Sequence, residues 1–258
     1  MKYIFIILLI TGCSSGNNSQ ETETVIIDSI SSPLLEITYL LGGGRFQDFA
    51  IDDKIYVLSD NGGDSTINTF NHGHSPQDSQ GSFTYDFIGH QGLSYYKGFW
   101  STYRPEKRSM VYFNEYGLKA VLRLFGDDFS SRSSCTPSVT KDYTAAFGYR
   151  SGLNIVRVWY TSLEAGDYTD KYLHEWEGPT TAPAQGLQII GDKLWIITGG
   201  KNRDKDKHLY QYTLKGQLIS DEIITVGKTA KGIYEPEGLG VLDGRLILGI
   251  LTDLPRLY

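Results

Sequence analysis

One motif recurring at a near-constant spacing constrains this chain more than any other feature. Gln47-Asp48-Phe49-Ala50-Ile51 is followed by a turn and Ile55-Tyr56-Val57, and Gln91-Gly92-Leu93-Ser94-Tyr95 by a turn and Phe99-Trp100. Gln185-Gly186-Leu187-Gln188-Ile189 precedes Lys193-Leu194-Trp195, and Glu237-Gly238-Leu239-Gly240-Val241 precedes Arg245-Leu246-Ile247. The steps are 44, 94 and 52 residues, so the middle gap holds two periods and the mean step is near 47. A degenerate copy is expected inside that gap, around Asp142-Tyr143-Thr144-Ala145-Ala146-Phe147. A unit of this length accommodates four short strands with their loops, as in a β-propeller blade. A two-sheet sandwich leaves the repeat unexplained, and a six-bladed ring needs more residues than remain.

The predicted fold is therefore all-β, a five-bladed β-propeller. Only 22 residues run from Glu237 to the last, Tyr258, enough for two strands. The N-terminal strands expected at Val25-Ile26-Ile27 and over residues 34–40 complete that blade and close the ring. Composition agrees. The chain has 29 Gly and 18 Tyr but 2 Met and 8 Pro, which favours strands and tight turns over helices. With 24 basic against 30 acidic residues, a net charge of −6, it lacks the cationic footprint of a nucleic-acid binder.

Residues 1–12 read as an export signal: Lys2, then an apolar run from Ile4 to Ile10, then small residues. That run is too short for a membrane-spanning helix, which needs about 20 residues. Ile10-Thr11-Gly12-Cys13 resembles the lipobox of bacterial lipoproteins. The resemblance implies cleavage before Cys13, acylation of that residue, and attachment to the cell membrane or outer membrane. Residues 13–24 are polar and predict a flexible tether, with residues 25–258 as the propeller domain. Cys135, the second cysteine, is left as a free structural thiol.

In a propeller the residue that starts each innermost strand lies at one mouth of the central channel. The candidate ligand-binding residues are accordingly Gln47, His90, Gln91, Gln185, Glu235 and Glu237. They either satisfy backbone groups between blades or form a polar pocket. No Gly-x-Ser-x-Gly elbow is present, and His72 and His74 read as loop residues. Asp127 and Asp128 act as a glycosidase pair only at the right separation. The mixed-charge stretch Lys201-Asn202-Arg203-Asp204-Lys205-Asp206-Lys207-His208 reads as a solvated hairpin tip.

The Gln-Gly and Glu-Gly strand starts, Tyr234-Glu235-Pro236-Glu237-Gly238-Leu239 and Ile55-Tyr56-Val57 resemble the phage receptor-binding and teichoic-acid-biosynthesis-protein-C-like β-propellers, a group that includes helveticin-type bacteriocins. That resemblance covers residues 34–258. It implies a five-bladed domain recognising cell-surface polymers without a catalytic centre or cofactor. The lipobox and the missing third-blade motif depart from that family. Glu-Gly starts also resemble gluconolactonase- and paraoxonase-type propellers, which would imply a Ca²⁺-dependent hydrolase using Glu235, Glu237 and Asp142. Neutral Gln at three ring positions argues against a tight divalent-cation site. The expectation is a monomeric, lipid-anchored envelope module that binds a surface glycan or an envelope protein.

Overall fold

The structure, a computed structural model, describes residues 24–27, 33, 35–41, 43–60, 65–73, 76–86, 88–89, 91–131, 137–180, 183–226, 228 and 231–258. Of residues 24–27, 76, 91 and 105 it describes the backbone alone. The export signal, Cys13, most of the proposed tether, His74, His90 and Cys135 lie outside the described residues.

Five separate sheets form the five blades of a β-propeller. Blade 1 contains Arg45–Ile51, Ile55–Asp60, Ser65–Phe70 and Gly81–Thr84. Blade 2 contains Gln91–Tyr96, Phe99–Arg104, Ser109–Asn114 and Gly117–Arg123. Blade 3 contains Ser138–Val139, Tyr143–Arg150, Leu153–Tyr160 and His174–Glu177. Blade 4 contains Ala184–Ile190, Lys193–Thr198, Lys207–Thr213 and Leu218–Ile224. Blade 5 combines Glu235–Leu242, Arg245–Leu251 and Pro255–Leu257 with Leu35–Tyr39 from the other end of the chain. The first strand of each blade contacts the first strands of both neighbours, and these five close a ring around the channel.

Apolar runs such as Ile55-Tyr56-Val57-Leu58 form strands because each blade is covered on both faces. Val57 packs towards blade 5, while Tyr56 and Leu58 pack towards blade 2. The core is accordingly five wedges, one per pair of neighbouring blades, rather than a single centre. Phe125, Phe129 and Trp159 fill the wedge between blades 2 and 3, and Phe46 and Phe49 that between blades 5 and 1. Each such ring contributes about 1.5–3 kcal/mol on burial.

Two expectations about the strands need correction. The inner strand of blade 3 is Ser138–Val139, and the segment around Asp142 to Phe147 leads into the second strand, Tyr143–Arg150. A two-residue strand is too short to show apolar periodicity, so the next, longer run took its place in the sequence pattern. Ser138 nevertheless keeps the period, 47 residues from both Gln91 and Gln185. In blade 5 the last 22 residues supply three strands, and only Leu35–Tyr39 comes from the N-terminal side. Thr24–Ile27 instead pairs in parallel with Leu218–Ile224 on the outer edge of blade 4. Gly166–Asp167 on blade 2 and Pro76–Asp78 on blade 5 cover outer edges in the same parallel manner. Such cover protects strand edges from pairing with other chains. Among the described residues no helix is long and apolar enough to cross a membrane.

Candidate functional site at the channel mouth

The repeated Gln or Glu owes its position to a repeated irregularity. In blade 1 the pairing register shifts between Phe46 and Asp48, leaving Gln47 as the extra residue. The shift falls between Ala184 and Gly186 in blade 4, leaving Gln185, and between Pro236 and Gly238 in blade 5, leaving Glu237. Blade 2 has its shift between Gln91 and Ser94. A bulge of this kind releases one residue from the ladder and re-aims its side chain. Three blades thus carry the same device at the same end of the channel, while in blade 2 Gln91 stays in the ladder opposite Tyr103 and the extra residue follows it.

Directly behind the bulges the inner strands are fastened to one another. Asp48, fully buried, accepts Phe49 N–H at Oδ1 and Leu93 N–H at Oδ2, both at 2.8 Å, tying blade 1 to blade 2. Ser94 Oγ accepts Val139 N–H at 3.1 Å, and Ser138 Oγ accepts Ile189 N–H at 2.9 Å, continuing the ring through blades 3 and 4. Between blades 4 and 5 two glycines meet. A Cβ on Gly186 would lie 2.9 Å from the backbone of Gly238, and a Cβ on Gly238 would lie 1.8 Å from Asp48 Oδ1. Burial pushes the Asp48 carboxyl well above its ordinary range, with the two N–H bonds pulling the other way.

Glu235 and Glu237 are both buried at the mouth of blade 5. Glu235 Oε1 accepts from Gln185 Nε2 at 3.3 Å, and its Oε2 pairs with the half-exposed Arg45 guanidinium at 3.5 Å. The Glu237 carboxyl lies beside that of Glu235. Burial, and then the neighbouring Glu235 carboxyl, push Glu237 up to about 9, so at neutral pH it keeps its proton. Burial also raises Glu235, against which the cations Lys201, Arg45 and Lys207 act. Gln47 is half-buried and donates to the Phe46 carbonyl at 3.2 Å.

The charged hairpin between the second and third strands of blade 4 is not merely a solvated tip. Lys207 is fully buried, and its Nζ donates to the carbonyls of Gly200 at 2.5 Å and Asn202 at 2.7 Å. Burial lowers its pKa. Arg203 donates to the carbonyls of Lys228, Gly232 and Ile233, binding the hairpin to the loop that leads into Glu235. Lys201 remains exposed at this rim. Charge composition alone suggested solvation, whereas the loop carbonyls supply an internal alternative to water.

The structure thus brings together Gln185, Glu235 and Glu237, with Gln47 at the start of the neighbouring inner strand, adding Arg45, Lys201 and Lys207, which the sequence pattern did not single out. Arg45 stands two residues before Gln47, and Asp48 occupies the place that is glycine in three other repeats. Those were the signals available for them. Gln91 begins the blade 2 strand as expected, though only its backbone is described. Asp142 does not join this group. It follows the blade 3 inner strand, at the opposite end of the channel, and is exposed. Asp127 Oδ1 pairs with Arg123 at 2.9 Å and Arg108 at 3.2 Å, and Asp128 with Arg150 at 3.5 Å, so neither is a free acid or base. These pairs border a cavity of about 350 Å³ at the outer edge of blades 2 and 3. There Glu175 joins Arg157 at 2.7 Å and Arg150 at 2.9 Å, with the Arg157 guanidinium over the rings of Tyr172 and Phe129. Its ionic groups are engaged with each other.

No protein-family model matches this sequence, and no curated protein does. The fold does have solved relatives. The tail fiber of Staphylococcus aureus phage P68 superposes with a TM-score of 0.57 at 15% identity over 88% of this chain, which spans 52% of that fiber. Glutaminyl cyclase of Myxococcus xanthus superposes with a TM-score of 0.55 at 9% identity, over 88% of this chain and 97% of the enzyme. At such identities the likeness is one of fold.

Proposed function

We propose that this propeller is a binding module displayed on the bacterial envelope by a lipidated Cys13, and that its channel mouth takes a surface glycan. The bulge-directed set of Gln47, Gln185 and Glu237 around Glu235 carries this reading. Two amides, a protonated carboxyl and a carboxylate offer donors and acceptors side by side, which suits hydroxyl groups that both donate and accept. A segment of an envelope protein is the other partner such a mouth could take. That one fold neighbour is a phage tail fiber is compatible with a binding role. The other neighbour is an enzyme, and the fold by itself does not choose between the two.

A second reading, catalysis, is favoured by one observation: two buried carboxyls, Glu235 and Glu237, lie side by side at the mouth, and Glu237 keeps its proton at neutral pH. A Ca²⁺-dependent form of it fits the residues poorly. Asp142 is at the far end of the channel, and Glu235 has Arg45, Lys201 and Lys207 as its electrostatic neighbours. Among the described residues no group of three or more His, Cys, Asp or Glu is placed to hold a metal ion.

The deciding experiment is thermal unfolding of the full chain against a panel of cell-surface glycans and against Ca²⁺ and EDTA. A ligand that binds only the folded state raises the midpoint by an amount set by its concentration over its Kd. Stabilisation by glycans that is lost in Glu235→Ala supports the binding module. Stabilisation by Ca²⁺ alone, reversed by EDTA, refutes it in favour of the metal-dependent hydrolase.

A further inference from the structure

The electrostatics of the mouth are unbalanced. Three cations, Arg45, Lys201 and Lys207, act on the buried Glu235 carboxyl, and of these Arg45 is within ion-pair distance, at 3.5 Å. Glu237 adds a hydrogen to this group rather than a charge. Lys207 has backbone carbonyls as its direct hydrogen-bond partners, so its charge is solvated but not neutralised. Gln185 also presents its amide N–H₂ here rather than an acceptor. At the outer edge of blades 2 and 3, by contrast, Arg108, Arg123, Arg150 and Arg157 are all ion-paired, with Asp127, Asp128 and Glu175. Arg45, with half its side chain exposed, and the exposed Lys201 keep part of their donor capacity facing solvent.

We infer that the channel mouth seats an anionic group of its ligand, a carboxylate or a phosphate, between Arg45 and Lys201 beside Glu235. The inference rests on the mouth being the binding site and narrows the ligand from any glycan to an acidic one. Arg45 supplies a planar fork suited to two oxygens and Lys201 a mobile point charge, while the Gln47 and Gln185 amides take neighbouring hydroxyls.

The test is calorimetric titration of the full chain in detergent with glucuronate, glucose, glucose 6-phosphate and inorganic phosphate. The acidic sugars are expected to bind about tenfold or more tightly than glucose, and to weaken as salt is raised from 50 to 500 mM. Lys201→Ala, at an exposed position that the fold does not require, is expected to remove most of that preference, and Glu235→Gln to increase it. Equal binding of glucose and glucuronate overturns the anion seat while leaving the glycan module standing. Binding of inorganic phosphate without any sugar, lost in Lys201→Ala, supports the seat and overturns the glycan reading. Anion binding unchanged in both Lys201→Ala and Arg45→Ala, or absent altogether, overturns the inference.

Discussion

Gly238→Ala tests how tightly the inner ring is closed. The new Cβ would stand 1.8 Å from Asp48 Oδ1, 2.7 Å from its Cγ and 3.3 Å from its Cα. A carbon needs roughly 3.3 Å from an oxygen, so the carboxylate or the strand must move by about 1.5 Å. Asp48 has nowhere to go, because its two oxygens hold Phe49 N–H and Leu93 N–H at 2.8 Å in a fully buried position. Losing one of these bonds strands a buried donor at about 1–3 kcal/mol. Forcing the strands apart costs a further 1–3 kcal/mol or so. The expected loss is about 2–6 kcal/mol, or a fall in Tm of roughly 5–20 °C for a domain of this size. Differential scanning calorimetry with a double-mutant cycle provides the assay. Asp48→Gly, which restores the residue found in the other repeats, should relieve the clash. The double variant should then be more stable than the two single losses added together by at least about 1 kcal/mol. Gly244→Ala serves as control: nothing lies within 4 Å of its Cβ and φ is +73°, so it meets backbone strain alone, about 1–2 kcal/mol. A Gly238→Ala protein within about 1 kcal/mol of the parent, or strict additivity with Asp48→Gly, would refute the close packing of blades 5, 1 and 2.

Other consequences follow from the charged groups and the topology. Glu237 stays protonated in the folded chain up to about 9, whereas the unfolded chain releases that proton at an ordinary carboxylate pH. Its contribution therefore becomes less favourable as pH rises between those two values, and Glu237→Gln should stabilise the protein at pH 7–8, by on the order of 1 kcal/mol or more, and flatten that dependence in urea titrations. Glu175 is the opposite case: burial opposes its charge, but Arg150 and Arg157 outweigh it and hold the carboxyl below its ordinary value. The stability it contributes is present above the unfolded-state pKa and fades as pH falls through the folded one. Glu175→Ala should cost roughly 1–3 kcal/mol at pH 7, and much less below pH 3, by chemical denaturation. The strand Thr24–Ile27 runs parallel to Leu218–Ile224, which ends at the Gln185 side of blade 4. That strand therefore runs towards the mouth from the opposite face of the ring.

Much of the fold is legible in the one-dimensional pattern because propeller blades are local units. Each pairs strands adjacent in sequence, so Gln47, Gln91, Gln185 and Glu237 could be aligned by spacing alone. The same locality made the all-β class and the number of blades readable from apolar runs and turns. Ser138–Val139 escaped because two residues carry no period, although its place 47 residues from each neighbour was implicit. What only the tertiary structure decided depends on contacts across blades. Arg45 meets Glu235 over 190 residues, Asp48 meets Leu93 over 45, and Thr24–Ile27 crosses to blade 4 rather than blade 5. The protonation of Glu237 follows from such neighbours, whereas the hydrogen bonds of buried Lys207 are made within its own hairpin. Residue type sets what a carboxyl or an ammonium can do, but its charge state follows from desolvation and from neighbours that ring closure alone brings within reach.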